Sequence, residues 1–168
     1  MKHNRFFIGD FNSDFCQNND THSGNILTPF LKTVKKKPES LARWADDLAL
    51  SYGELWTAAA PIANCLDEIM QYRKIASIGI IANRSITSFV SIIASLAAGI
   101  PYVPIHYKYP LKRQISILER AECSVLVLDE ANASIVEKLL PKISKSVFIL
   151  WIGSENIDKN FAIPHWHR

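Results

Sequence analysis

The sequence predicts an α/β fold: a doubly wound, mostly parallel sheet with flanking helices, preceded by a small β-hairpin. Three observations point to it. From residue 75 onward, apolar runs of strand length alternate with apolar stripes at helical spacing. Those runs lack polar alternation, as strands covered on both faces do. Strand and helix then follow each other strictly, the mark of βαβ units on a parallel sheet. No internal repeat with a period of about 20 to 50 residues competes with this reading.

The elements follow in order. Residues 1–25 are polar, with Asp10, Asn12, Asp14, Asn18, Asn19, Asp20 and Asn25, and read as a loose N-terminal extension. Thr28-Pro29 starts a helix, with Pro at the first helical position. Phe30, Leu31 and Val34 are its expected buried stripe, and Pro38 marks its end. Ser40 to Ser51 holds two short apolar runs around Asp46-Asp47, a hairpin pattern. Ser51-Tyr52-Gly53-Glu54 is a capping box, in which hydroxyl and carboxylate each take the other residue's backbone N–H. Leu55, Ala58, Ile62, Leu66 and Ile69 then predict an amphipathic helix of about four turns.

Ile75–Ala82 reads as a buried strand, interrupted only by Ser77 and Gly79. Ile86, Phe89, Val90, Ile93 and Leu96 form the next helical stripe, closed by Gly99 as a C-terminal cap. Tyr102–Ile105 is a strand. Pro110 opens a helix carrying Leu111, Ile115, Leu118 and Ala121. Ser124–Leu128 is a strand, Ile135, Val136 and Leu139 a short helix stopped by Pro141, and Val147–Ile152 a last strand. The domain is thus expected over 26–152, with 153–168 as a polar tail. A doubly wound sheet covers its last strand with a helix, and no such helix is predicted after this one.

Composition excludes several classes. At 48% hydrophobic and 21% charged over 168 residues, the chain can build a core and is not intrinsically disordered. A net charge of +3 is too small and dispersed to argue for nucleic acid. The run Lys35-Lys36-Lys37 reads as a solvated helix end. Cys16, Cys65 and Cys123 make neither a disulfide framework nor a zinc pattern, so a reducing, cytoplasmic setting is expected. Met1 to Asp10 has no signal-peptide pattern. Ser85 to Tyr107 carries no charged residue, yet Arg84, Ser88, Ser91 and Ser95 form a polar stripe, and Gly99, Pro101 and Pro104 break the run. A one-sided helix followed by a strand is expected there, not a membrane span.

Catalytic patterns are missing. No two of the six glycines lie closer than 15 positions, so neither GxGxxG nor GxxxxGK[ST] exists. No GxSxG elbow exists either. Cys123 starts an apolar strand, where a packed thiol is the ordinary reading. Glu54 is accounted for by capping, and Asp46-Asp47 by a turn. His165 and His167 could ligate a metal, but a polar chain end is the plainer account. His106 follows a strand end, where functional groups do sit. The residues alone assign no catalytic, cofactor-binding or metal site.

Two segments go further. Leu50-Ser51-Tyr52-Gly53-Glu54-Leu55 resembles the first core motif of adenylate-forming enzymes. Leu96-Ala97-Ala98-Gly99-Ile100-Pro101-Tyr102-Val103-Pro104-Ile105 resembles their second, followed by Tyr109-Pro110 and Arg113. The order is most similar to amino-acid adenylation domains of nonribosomal peptide synthetases, from Ile26 to Ile152. Two positions depart: His106 stands where that branch has Asp, and Ala97 where it has Lys. The resemblance implies an N-terminal portion of the adenylate-forming fold. It implies ATP and Mg²⁺ for the complete enzyme, none for this chain alone, and acyl transfer to a carrier-protein thiol. The phosphate loop, substrate pocket and catalytic Lys of that family have no counterpart in this sequence. The expected function is therefore a fragment of a carboxylate-activating ligase, inactive alone. The alternative is a non-catalytic interaction module that keeps the scaffold. Expected partners are a complementary adenylation chain, a carrier protein, or a second copy meeting an exposed sheet face, with neither nucleic acid nor membrane.

Overall fold

A computed structural model describes residues 26–45, 48–81 and 85–152. Their elements run α1 (Thr28–Lys36), β1 (Leu41–Ala45), β2 (Leu48–Ser51), α2 (Tyr52–Tyr72), β3 (Ser77–Ile81) and α3 (Ile86–Ala97). There follow β4 (Tyr102–Pro104), α4 (Leu111–Arg120), β5 (Cys123–Asp129), α5 (Ala133–Leu139) and β6 (Phe148–Ile152). Strands β1 and β2 form the antiparallel hairpin, and the other four form a parallel sheet in the order β4-β3-β5-β6. The extension 1–25, the turn Asp46-Asp47, Arg84 and the tail 153–168 lie outside the described residues.

Side-chain alternation divides the sheet between two cores. Ile78 and Ile80, Val125 and Val127, and Leu150 and Ile152 face α2 and α3. Ile81, Leu126, Leu128 and Ile149 face Leu118 of α4 and Val136 and Leu139 of α5. Both faces are apolar because both are covered, so the strands read as continuous runs in sequence. Gly79 belongs to the α4 face. A Cβ there would stand 2.8 Å from Leu118 Cδ2, so the bare backbone is what lets α4 pack closely.

The helix signals act as expected. Ser51 N–H donates to Glu54 Oε2 at 2.8 Å, and Glu54 N–H to Ser51 Oγ at 3.2 Å. Gly99 adopts φ +68 and closes α3, with Gly99 N–H bonded to Leu96 O and Ile100 N–H to Ser95 O. That pairing satisfies two carbonyls the helix end would leave open.

Three expectations are corrected. Helix α2 has 21 residues, about six turns rather than four. Its apolar stripe lies where the spacing predicts, from Leu55 to Ile69, and the extra length comes from Tyr52–Glu54 before it and the exposed Met70–Tyr72 after it. The serine stripe of α3 is not solvated: Ser91 and Ser95 are buried with Val90 and Ala94. Their hydroxyls donate to Thr87 O at 2.6 Å and Ser91 O at 2.8 Å, which makes burial cheap, and their small size suits a helix pressed between layers. Phe30, Leu31 and Val34 of α1 are only half-buried, because α1 lies outside α2, against Trp56 and Ala60.

Candidate functional site

A parallel sheet presents ligands at the carboxyl ends of its strands, above all where strand order reverses. Here the chain leaves β3 first for β4 on one side and then for β5 on the other. The carboxyl ends of β3, β4 and β5 are therefore the candidate site.

Asp129 ends β5 and is 9% exposed. Its Oδ1 accepts from Asn132 N–H at 3.1 Å and from the Asn132 amide. Its Oδ2 faces Ser85 Oγ at 3.4 Å, across from the start of α3. This carboxylate ties Ser85, ahead of α3, to Asn132, after β5. Both its oxygens accept from neighbours, so it braces this edge.

His106 follows β4 and is exposed. Its Nδ1 accepts from Lys108 N–H at 3.1 Å. Its ring stacks on Tyr107 with centroids 5.0 Å apart, and Tyr109 lies at 5.5 Å. The Arg113 guanidinium sits 4.2 Å over the Tyr109 ring, and Lys108 Nζ 5.5 Å from that of Tyr107. Gln114, 2% exposed, donates from Nε2 to Tyr107 O at 2.9 Å and so fastens this loop to α4. No sequence pattern marked Gln114, because a lone Gln on an amphipathic helix gives no sign of which carbonyl it will meet.

The other sequence candidates take structural places. Glu54 is exposed and committed to the capping box, which holds its carboxyl below the ordinary glutamate range, chiefly through the Ser51 N–H. Cys123 is buried, with Ser77 Oγ at 3.3 Å, and burial pushes its thiol up. Cys65 is pushed up to about 11, first by burial and then by Glu68. Both are poor nucleophiles. Asp46, Asp47, His165 and His167 lie outside the described residues. A groove of about 490 Å³ borders the start of α2, lined by Glu39, Ser51, Gly53, Glu54, Thr57 and Pro61 among others. Two of its polar groups, Ser51 and Glu54, are the capping pair, already bonded to each other.

Among the described residues no three His, Cys, Asp or Glu side chains gather as metal ligands, and no helix is long and apolar enough to cross a membrane. The described part of the carboxyl edge thus carries a braced scaffold and a cationic, aromatic loop.

The profile of the AMP-binding enzymes matches residues 30–164. The chain belongs to the AMP-binding enzyme family. It is 34% identical over 126 residues to tyrocidine synthase 2 of Brevibacillus parabrevis, a match covering 75% of this chain and 3% of that protein. It is 30% identical over 110 residues to gramicidin S synthase 1 of Brevibacillus brevis, covering 66% of this chain and 10% of that one. Among solved structures, a nonribosomal peptide synthetase, FmoA3, in its α-methyl-L-serine-AMP bound form, superposes with a TM-score of 0.63 at 24% identity, over 79% of this chain and 14% of that one. A long-chain-fatty-acid CoA ligase of Rhodopseudomonas palustris gives a TM-score of 0.68 at 17% identity, over 86% of this chain and 39% of that one. The chain therefore spans a small part of each AMP-binding relative, and it shares their fold. The two sequence motifs belong to that fold: one caps α2, the other closes α3 and enters β4.

Proposed function

We propose that this AMP-binding chain is an N-terminal portion of an ATP-dependent, carboxylate-activating ligase, most similar to amino-acid adenylation domains, and is inactive by itself. The observation that carries the reading is the family match over residues 30–164, on a scaffold whose capping box and helix-ending glycine both form. The complete enzyme would use ATP and Mg²⁺ to form an acyl or aminoacyl adenylate and pass the acyl group to a carrier-protein thiol.

The described residues do not fit a resident triphosphate or Mg²⁺. Phosphate activation needs cations and N–H donors around the phosphates, and carboxylates on the metal. Asp129 is taken up by Asn132 and Ser85, and no metal-ligating trio accompanies it. We derive no catalytic step through either group. Activity then depends on residues other than those described, in a cytoplasmic setting where the buried thiols stay reduced.

The test is ATP–pyrophosphate exchange with this chain alone, with the product of the adjacent downstream gene alone, and with both mixed. Exchange in the mixture only is the expected result. Exchange by this chain alone would overturn the reading. A mixture that forms a stable complex on gel filtration without exchange favours the second reading, a scaffold kept for protein interaction.

A further inference from the structure

We propose that the loop after β4 and the first turn of α4 form a docking surface for an acidic patch of a partner protein. This goes beyond the ligase reading and stands independently of it.

Residues 85–118 contain no Asp or Glu. Within them Lys108, Lys112 and Arg113 are exposed, beside exposed His106. None of these cations makes an ion pair among the described residues, where Lys145–Glu122 is the pair formed. Lys108 and Arg113 instead meet the rings of Tyr107 and Tyr109 in the same loop. Lys112 and Arg113 occupy the first turn of α4, which has no acidic residue and no side-chain cap. Cations there oppose the helix dipole, and an acid would suit the position better.

The surface is also built to hold its shape. Buried Gln114 fastens the loop through Tyr107 O at 2.9 Å. Tyr107 and Tyr109 are half-buried and carry Lys108 and Arg113 on their rings. Side chains ordered in this way lose less entropy when a partner arrives.

The occupant follows from the shape and from the occupied rings. The groove described above borders the start of α2, and none of these cations is among its lining residues. Single-stranded nucleic acid needs free aromatic faces for base stacking. Here His106 and Tyr107 stack on each other, and Arg113 covers Tyr109. Spread, solvent-facing cations without stacking platforms match a carboxylate-rich protein surface.

The experiment uses the full chain and fluorescent poly-L-glutamate as probe, read by anisotropy at low salt. The variant Lys108→Gln/Lys112→Gln/Arg113→Gln removes three charges from the loop. The control Lys35→Gln/Lys36→Gln/Lys37→Gln removes three from the end of α1. The loop variant is expected to weaken binding about tenfold, and the control less than about twofold, as three exposed ion pairs would give. Arg113→Lys alone keeps the charge and retains binding. Far-UV circular dichroism checks that each variant is folded. Equal weakening by both triple variants would overturn the proposal. So would an oligothymidylate that binds the native chain more tightly than poly-glutamate and loses affinity in the loop variant.

Discussion

Gly79→Ala tests the packing that places α4, and with it the loop after β4. The added methyl would lie 2.8 Å from Leu118 Cδ2, 3.1 Å from Leu126 Cδ1 and 3.4 Å from Ile105 Cδ1. Carbon atoms prefer about 3.5–4.0 Å, so the first contact is short by roughly 1 Å and the second by about half that. The obstructing atoms are methyl ends, which can turn. They have little space to turn into, since Leu118 is 2% exposed and Leu126 fully buried. Overpacking of this kind costs about 1–3 kcal/mol. Loss of glycine's freedom in the unfolded chain returns about 0.4–1 kcal/mol. The net expectation is a loss of about 1–2 kcal/mol, seen as a urea midpoint lowered by roughly 0.5–1 M for a slope near 2 kcal/mol/M.

A double-mutant cycle sharpens the test. Leu118→Ala alone should cost about 2–5 kcal/mol through the cavity it leaves. In that background the Gly79→Ala methyl enters vacated space and should cost almost nothing. The coupling is then at least about 1 kcal/mol. Urea unfolding followed by far-UV circular dichroism measures all four corners. Additivity within about 0.5 kcal/mol, or a Gly79→Ala chain as stable as the original, would refute the packing argument.

Five further outcomes are expected. Ser51→Ala should cost about 1 kcal/mol through the lost cap. Because Glu54 is held below its ordinary range in the folded chain, its stabilisation is present above the unfolded carboxylate pKa and lost as pH falls through the folded value. Glu54→Gln should therefore flatten the acid side of a pH–stability curve taken from urea midpoints. Gly99→Ala should lose about 1 kcal/mol from its φ of +68 alone, since nothing lies within 4 Å of the added Cβ. Glu122, a non-glycine residue at φ 51, should show the reverse on Glu122→Gly, a gain seen in thermal melts and reduced only slightly by loss of its exposed pair with Lys145. Cys65, pushed up to about 11, should make the chain less stable as pH rises from the ordinary thiol range toward that value, and should resist alkylation at neutral pH until urea exposes it.

The fold was legible where a residue's role is set by its near neighbours along the chain. Ser51 and Glu54 are three apart and cap each other whatever packs around them. Gly99 closes α3 because only a few backbone states end a helix, and glycine enters the left-handed one freely. The apolar runs of β3, β5 and β6 marked strands covered on both sides, and the two cores are the result. Reading failed where polarity and burial part company. Ser91 and Ser95 looked solvated, but a helical hydroxyl can bond its own preceding turn and enter the core at small cost. Gln114 carried no signal in the sequence and is a buried fastener.

The carboxyl edge was illegible for a different reason. Ser85 and Asp129 stand 44 positions apart and meet because β3 and β5 pair in parallel. No spacing rule along the chain encodes that meeting, as it does for Ser51 and Glu54. The residues that identify the family have structural work in this chain. Ser51 and Glu54 start α2, Gly99 ends α3, and Pro104 lies in the edge strand β4, where a missing N–H does least harm. Pro110 leads into α4, its carbonyl accepting from Arg113 N–H at 2.8 Å. Motifs of this kind identify a lineage because they specify a backbone. Removing any one of them should therefore lower stability without touching a reacting atom. Losses of exchange activity in a reconstituted complex should track unfolding midpoints for Ser51→Ala and Gly99→Ala, whereas a loss at full stability would assign one of these residues to the chemistry.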